Sequence, residues 1–150
     1  MRIDQEKIVQ LYKEAMTQVY SDEVLDHGQN PRNLGAIPNS NAFGIVFGPC
    51  GDTMAIWLEI DNNNNIKEIG FTTDGCLTSL AAGSMVTELA RGKNTNEARQ
   101  INQQEILKAL GGLPEGSEHC ALLAANTLKE AISDHMTPST HPKRTLYKFA

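Results

Sequence analysis

Three cysteines are the residues of this chain with the most distinctive chemistry. Cys50 follows a Gly-Pro pair in a turn between two predicted strands, Cys76 opens a predicted helix, and Cys120 lies in the first turn of another. The start of a helix carries unsatisfied N–H groups and partial positive charge, and both stabilise a thiolate. Because the thiolate is the form that binds metals and attacks sulfur, we predict that the three sulfur atoms converge on one exposed metal site.

The number and spacing of the cysteines limit the alternatives. Three thiols cannot all pair within one chain, and a reducing compartment would keep them free. Free cysteines often serve as small buried apolar residues, which is the alternative interpretation, but placement at turns and helix starts favours chemistry. The sequence has no Cys-x-x-Cys pair, so each ligand comes from a distant segment. This arrangement predicts a shallow site that releases its metal readily.

Two candidates for a fourth ligand stand beside the thiols. Asp52 lies two residues after Cys50, and His119 directly precedes Cys120. Either side chain would complete a tetrahedral site. The alternatives are a carboxylate that caps the following turn and an exposed histidine at a helix start. The other histidines have no cysteine near them in sequence and are interpreted as surface residues; they are His27, His135 and His141.

The composition describes an acidic protein of one-domain size. The 150 residues carry a formal net charge of -5, which argues against nucleic-acid binding because that affinity rests on clustered lysine and arginine. The basic residues between His141 and Lys148 are interpreted as a solvated end. No segment reaches the roughly 20 apolar residues that a membrane span needs, and the first residues lack the apolar core of a secretory signal. We therefore predict a cytoplasmic protein with no nucleic-acid or membrane partner.

Hydrophobic periodicity predicts an α+β fold. Residues 6–19 repeat apolar side chains at helical spacing, and the stretch 28–41, rich in Asn, Pro and Gly, is typical of a surface loop. Alternating apolar residues predict strands at Ala42–Phe47, Thr53–Ile60 and Ile66–Thr73. Short connections make these strands neighbours in an antiparallel sheet, whose apolar face the later helices must cover.

The second half of the chain is predicted to be helical. The predicted helices are Cys76–Ala90, which stops near Gly92; one capped by Asn94 with Glu97; one capped by Asn102 with Glu105 and ended by Gly111-Gly112; and Ser117–Asp134. The inner stripe of the last helix is predicted to be Leu122, Leu123, Leu128, Ala131 and Ile132. We divide the chain into a helical extension at 1–19, a main domain at 20–136, and a tail at 137–150 that is predicted to be mobile.

The cysteine segments, together with two motifs near the start of the main domain, resemble the IscU/NifU-type iron–sulfur cluster assembly scaffolds. The resemblance covers about Tyr20 to Asp134. In chain order the matching segments are Tyr20-Ser21-Asp22-Glu23-Val24-Leu25-Asp26-His27, Asn30-Pro31-Arg32-Asn33-Leu34-Gly35, Cys50-Gly51-Asp52, Asp74-Gly75-Cys76 and His119-Cys120. Each motif alone is weak, whereas all of them in the family's order are specific. The interval from Cys76 to Cys120, and the histidine before the third cysteine, look like the IscU type rather than the zinc-binding SufU type.

The resemblance implies a SufE/NifU-like single domain, with the cysteines at one end of a three-stranded antiparallel sheet covered by helices. It also implies a scaffold rather than an enzyme. Such scaffolds accept sulfur from a cysteine desulfurase, combine it with iron, and pass a [2Fe–2S] cluster to apo acceptor proteins. Carried over by position, Cys50, Cys76 and Cys120 are ligands and persulfide acceptors, with Cys120 as the first sulfur acceptor. Asp52 is a ligand or keeps the cluster exchangeable, and His119 is the alternative fourth ligand.

Three segments depart from the family pattern. Where the family often has Leu-Pro-Pro-Val-Lys before its His-Cys pair, residues 113–118 read Leu-Pro-Glu-Gly-Ser-Glu. The resemblance therefore does not extend to the motif that Hsp70-type chaperones grip. Cys76 is followed by Leu77-Thr78-Ser79 instead of the common Gly-Ser-Ala. The segment 1–19 is longer than in many relatives, and it is expected either to pack on the domain or to mediate self-association as a homodimer.

Two other functions compete with the scaffold. Three thiolates with Asp52 or His119 also suit tetrahedral zinc, so the alternative is a zinc-binding sulfur-transfer protein of the SufU kind. A Cys–His hydrolase or transferase is the third hypothesis. It is disfavoured, because His119 and Cys120 are neighbours on one helical turn and are expected to point in different directions.

Overall fold

The computed structural model of the chain describes residues 4–49 and 51–137, and its centre is a three-stranded antiparallel sheet. The strands are β1 Ala42–Phe47, β2 Thr53–Ile60 and β3 Ile66–Thr73, in the order β1-β2-β3. The helices are α1 Gln5–Val19, α2 Asp22–Gln29, α3 Leu77–Ala90, α4 Thr95–Ala98, α5 Gln103–Ala109 and α6 His119–Met136, with a short 3-10 turn at Glu115–Ser117. The predicted α+β class and all three predicted strands are confirmed.

The central strand β2 carries the core of the sheet. Met54, Ile56 and Leu58 are fully buried on the face that the helices cover, as the alternation predicts. The opposite face is buried as well at Ala55 and Trp57, because residues of the loop before β1 pack over it. Both faces of β2 are therefore covered, which explains why this strand reads as nearly continuous apolar sequence.

A glycine brings β1 and α6 into contact. A Cβ atom at Gly44 would overlap the backbone of Ala131, so only glycine allows the strand to lie directly against the helix. At the other end of the same contact, the turn between β1 and β2 approaches Leu123, to which a Cβ atom at Gly48 would come within 3.5 Å. This packing holds the start of α6, with its His-Cys pair, beside the turn that leads into β2.

The helix ends follow the predicted signals. The Asn94 side chain accepts a hydrogen bond from the Glu97 N–H at 2.8 Å, and Asn102 accepts one from the Glu105 N–H at 2.9 Å. After α5, Gly111 and Gly112 both adopt positive φ angles, of 73° and 92°. Each predicted cap is confirmed.

The helix α2 was missed by the sequence analysis, which placed the start of the loop at Gly28. The Ser21 hydroxyl accepts a hydrogen bond from the Val24 N–H at 3.0 Å, and acidic residues occupy the first turn of the helix. A serine followed by acidic residues is a helix-start signal that was present in the sequence. The predicted inner stripe of α6 is also wrong at Leu122, which is 44% exposed, because the helix turns Ala121 and Leu123 inward instead.

The helix α1 carries the predicted apolar stripe but points it at solvent. Among the described residues, α1 contributes none to the core, and Ile8, Leu11 and Tyr12 are 49%, 54% and 61% exposed. An isolated helix of this length is marginally stable in water, so the stripe favours a partner surface. The described part of this segment therefore adds no buried residue to the domain, and its role in packing or self-association stays a prediction.

Two further predictions concern membrane-spanning segments and the C-terminal tail. Within 4–49 and 51–137, no helix combines the length and the apolar character required to cross a bilayer. The tail predicted at 137–150 lies, apart from Thr137, outside the described residues.

Candidate metal centre

Cys76 is an exposed thiol at the N-cap position of α3. Its Sγ atom lies 3.3 Å from the Thr78 hydroxyl, which lowers the pKa of the Cys76 thiol. The N–H groups of Thr78 and Ser79 act in the same direction, although neither completes a capping hydrogen bond to the sulfur. Burial and the negative charge of Asp52 oppose this shift without cancelling it. The helix start therefore raises the thiolate fraction at neutral pH, as the sequence predicts.

This environment gives a first prediction, on the Thr78→Val variant. Valine keeps the shape of threonine but removes the hydroxyl, so the pKa of Cys76 should rise and its thiolate fraction at neutral pH should fall. We expect iodoacetamide to alkylate Cys76 more slowly near pH 7 and at an unchanged rate at high pH, where the thiol is ionised in both proteins. Alkylation followed against pH by peptide mass spectrometry measures this. A profile that coincides with the parent protein's would contradict the role of Thr78.

Cys120 occupies the second position of α6 and is only 2% exposed. The expectation that all the cysteines lie in an exposed site is therefore wrong for this one, because the inward-facing stripe of α6 already begins in its first turn. The sulfur is not surrounded by aliphatic groups alone. The hydroxyls of Thr78 and Ser79 lie 3.3 Å and 3.5 Å from its Sγ atom.

One hydroxyl group links the two described cysteines. The Thr78 Oγ1 atom is 3.3 Å from Sγ of Cys76 and also 3.3 Å from Sγ of Cys120, so the two sulfur atoms are no more than twice that distance apart. A hydroxyl carries one proton and can donate to only one sulfur at a time. The buried and the exposed thiol therefore lie close together, on either side of the Thr78 hydroxyl.

Asp52 reaches this site from the other side, at the start of β2. The preceding residue, Gly51, has a φ of 88°, a conformation that favours glycine, and it turns the chain into the strand. The Asp52 Oδ2 atom accepts a hydrogen bond from the Ser79 hydroxyl at 2.8 Å. A Cβ atom at Gly75 would lie 2.8 Å from the same carboxylate oxygen and would overlap Ser79. Glycine before Cys76 therefore lets Asp52 and α3 approach.

His119 contacts its neighbour, contrary to the expectation from helix geometry. Its Nε2 atom lies 3.8 Å from Sγ of Cys120, so the prediction that the two side chains point apart is wrong. His119 is the first residue of α6, and its imidazole is long enough to fold back toward the sulfur of the next residue. The contact places a ring nitrogen beside the sulfur of Cys120. Because Cys120 is only 2% exposed, a hydrolase substrate in solvent would reach this sulfur only after a local opening of the site.

The three groups around the start of α6 form a candidate metal-binding set. One carboxylate oxygen of Asp52, one ring nitrogen of His119 and Sγ of Cys120 all lie within 4.8 Å of one another. Mixed nitrogen, oxygen and sulfur donors at this spacing suit zinc or iron after small side-chain movements. Cys76 stands beside the set, across the Thr78 hydroxyl. Cys50, the remaining predicted ligand, lies outside the described residues.

The sequence analysis did not identify Thr78 or Ser79 as site residues. Both are almost fully buried, at 1% and 0% exposure, and both contact ligand atoms. Two hydroxyl residues within three positions of an N-cap cysteine, in Cys76-Leu77-Thr78-Ser79, were the available signal, since side chains in the first turn of a helix lie close to its N-cap residue. His27 was also misjudged as a surface residue. It is half-buried, with Nδ1 2.7 Å from the Ser84 hydroxyl, and burial lowers its pKa.

Comparison with known proteins shows the family to which the chain is related. A model of the family described as NifU-like N terminal domain matches residues 19–141. The iron–sulfur cluster assembly scaffold protein IscU 1 of Archaeoglobus fulgidus is 46% identical over 118 residues, which cover 78% of this chain and 76% of the relative. The family resemblance noted in the sequence is confirmed.

Two solved structures share the fold. The N-terminal part of a NifU-like protein from Brucella abortus matches with a TM-score of 0.64 at 17% identity, covering 83% of this chain and 99% of that one. A protein from Fervidobacterium islandicum, described as a scaffold for the SUF system, matches with a TM-score of 0.62 at 22% identity, covering 77% of this chain and 97% of that one. At these identities the likeness concerns the fold alone, and it confirms the predicted architecture.

Proposed function

The chain belongs to the family of NifU-like N-terminal domains, and on that premise we propose that it is a scaffold on which iron–sulfur clusters are assembled before transfer to acceptor proteins. The observation that carries the proposal is the meeting of Asp52, His119 and Cys120 within 4.8 Å, with Cys76 joined to them through Thr78. Thiolates supply the strong bonds to iron, and the oxygen or nitrogen donor supplies a weaker, exchangeable one. A carrier needs both, because it must hold its cargo and then give it up.

The cargo that we propose is a [2Fe–2S] cluster. Cys50, Cys76 and Cys120 would supply three ligands, and Asp52 or His119 would supply the fourth. The family resemblance supports the inclusion of Cys50. The partners would be a cysteine desulfurase that delivers sulfur and apo proteins that receive the cluster.

For sulfur transfer we propose that Cys120 is the acceptor. His119, 3.8 Å away, takes the proton of the Cys120 thiol, and the resulting thiolate attacks the outer sulfur of a persulfide on the desulfurase. A new S–S bond forms on Cys120, the S–S bond of the donor breaks, and the donor cysteine leaves as a thiolate. A dithiol reductant then supplies the two electrons that release this sulfur as sulfide and is itself oxidised to a disulfide. Because Cys120 is 2% exposed, transfer requires a local opening of the site in the complex with the desulfurase.

Anaerobic reconstitution tests the proposal. The purified chain is incubated with ferrous iron, L-cysteine, dithiothreitol and a cysteine desulfurase, and the mixture is then freed of small molecules. We expect visible absorption characteristic of a [2Fe–2S] centre, and equal amounts of iron and sulfide bound to the chain. A second incubation with an apo ferredoxin should move the colour to that protein. Failure of the chain to retain iron and sulfide under these conditions would contradict the proposed scaffold function.

The zinc-binding sulfur-transfer protein remains the second candidate, because the same donor set suits tetrahedral zinc. Colourless protein that keeps one tightly bound zinc ion through reconstitution, and that accepts persulfide sulfur without binding iron, would favour it. Zinc in the purified protein does not by itself decide between the two, since thiolate sites take up zinc whenever it is available.

A further inference from the structure

The first turn of α3 contains a buried hydroxyl with no part in the sulfur or metal chemistry described above. Ser79 is fully buried, and its Oγ atom donates a hydrogen bond to Asp52 Oδ2 at 2.8 Å. The same oxygen lies 3.5 Å from Sγ of Cys120. Ser79 thus stands between two candidate ligands that come from β2 and α6. Because Ser79 belongs to α3, the helix holds its hydroxyl next to both candidate ligands.

We propose that Ser79 is a positioning residue, which holds the Asp52 carboxylate in the orientation that allows it to bind metal beside Cys120. The inference rests on the proposed function and adds to it a residue that acts through Asp52. It gives the half-buried Asp52 carboxylate a defined hydrogen-bond donor on α3.

The geometry allows the hydrogen bond and metal binding to occur together. Ser79 occupies Oδ2 of the carboxylate, and an ionised carboxylate has two oxygens that accept bonds independently, so Oδ1 stays available to a metal. Hydrogen bonds to charged groups are among the stronger ones in proteins. Groups that orient metal ligands in this way typically contribute about 10–100-fold in metal affinity.

Gly75 leaves room for the contact between Ser79 and Asp52, since a Cβ atom at Gly75 would overlap Ser79 and lie 2.8 Å from Asp52 Oδ2. Among the described residues, the Ser79 hydroxyl is the side-chain donor to the Asp52 carboxylate. Without the serine hydroxyl, Asp52 would be free to turn toward solvent. The weak, exchangeable ligand would then be missing from the site much of the time.

A double-mutant cycle on the metal-free protein tests this proposal. Zn²⁺ affinity is measured by competition with a chromophoric chelator for the parent chain, Ser79→Ala, Asp52→Ala and the double variant. We expect Ser79→Ala to weaken Zn²⁺ binding about 10-fold. The double variant should bind as Asp52→Ala does, because a residue that acts only through Asp52 has no effect once Asp52 is gone. The control is Thr127→Val, which removes a buried hydroxyl that donates to the Leu123 carbonyl within α6, and it should bind Zn²⁺ normally.

The possible results distinguish failure of the Ser79 positioning role from failure of the proposed metal site. Unchanged affinity in Ser79→Ala overturns the positioning role, and so does an additive loss in the double variant, which would mean that Ser79 supports the fold rather than Asp52. Failure of the parent chain itself to bind Zn²⁺ through thiolates would instead count against the proposed metal site. Thermal unfolding of each metal-free variant shows whether the protein is folded when it is titrated.

Discussion

The Cys120→Ser variant of the metal-free protein is expected to bind Zn²⁺ at least about 100-fold more weakly than the parent chain, because even groups that merely orient a ligand contribute up to that factor. Cys120 is the sulfur that the rest of the site surrounds: hydroxyls of Thr78 and Ser79 lie at 3.3 Å and 3.5 Å, and the His119 ring lies at 3.8 Å. A serine hydroxyl stays protonated at neutral pH and is a poor ligand where a thiolate is a good one. The same variant should fail to accept sulfur from a desulfurase.

Chelator competition measures the Zn²⁺ affinity, and Co²⁺ gives a second measurement through its sulfur-to-metal charge-transfer absorption. We expect that absorption to fall in proportion to the lost thiolate. Ala124→Ser is a matched control, because it places a hydroxyl on the same buried face of α6, one turn beyond Cys120. If Cys120→Ser binds Zn²⁺ with the affinity of the parent chain, Cys120 is not a ligand, and the proposed site loses its central sulfur atom.

The second large effect is expected in Asp52→Ala, where the assembled cluster should live longer. In the proposed site, Asp52 would be the donor most easily exchanged for solvent or for an incoming ligand, since it is half-buried and offers oxygen. Its negative charge also raises the pKa of Cys76, so its removal should increase the fraction of Cys76 that is present as thiolate. A tenfold longer half-life corresponds to about 1.4 kcal/mol in the barrier to release, and we expect an effect of that order.

The decay of visible absorption under anaerobic conditions, with and without an apo acceptor protein, measures this half-life. Asp74→Ala is the control. It removes a second carboxylate close to Cys76 in sequence, which instead accepts a hydrogen bond from the Thr53 N–H at 2.7 Å. If both variants prolong the half-life equally, the effect is one of general charge, and Asp52 loses its specific role. A half-life in Asp52→Ala equal to that of the parent would contradict the prediction altogether.

Local patterns in the sequence were sufficient for most of the architecture. Strand alternation, asparagine caps and paired glycines depend on contacts within a few residues, so the sheet and the helix ends were predictable without knowledge of the fold. Helices α1 and α2 are the exceptions. α2 was missed although Ser21 caps it, and the apolar stripe of α1 correctly predicted a helix but not that it would face solvent, because burial depends on what the rest of the chain offers as a partner.

For the site, residue type and position in the sequence were sufficient to predict the candidate groups, which are Asp52, Cys76, His119 and Cys120; their roles, like that of Cys50, stay predictions. The tertiary structure decided their burial and their contacts. Cys120 proved buried, His119 turned toward it, and Thr78 and Ser79 joined the ligands to one another. The physical reason is that thiolate stabilisation at a helix start is a local effect. Distances between β2, α3 and α6 instead depend on how tightly three separate elements pack, which no single stretch of sequence encodes.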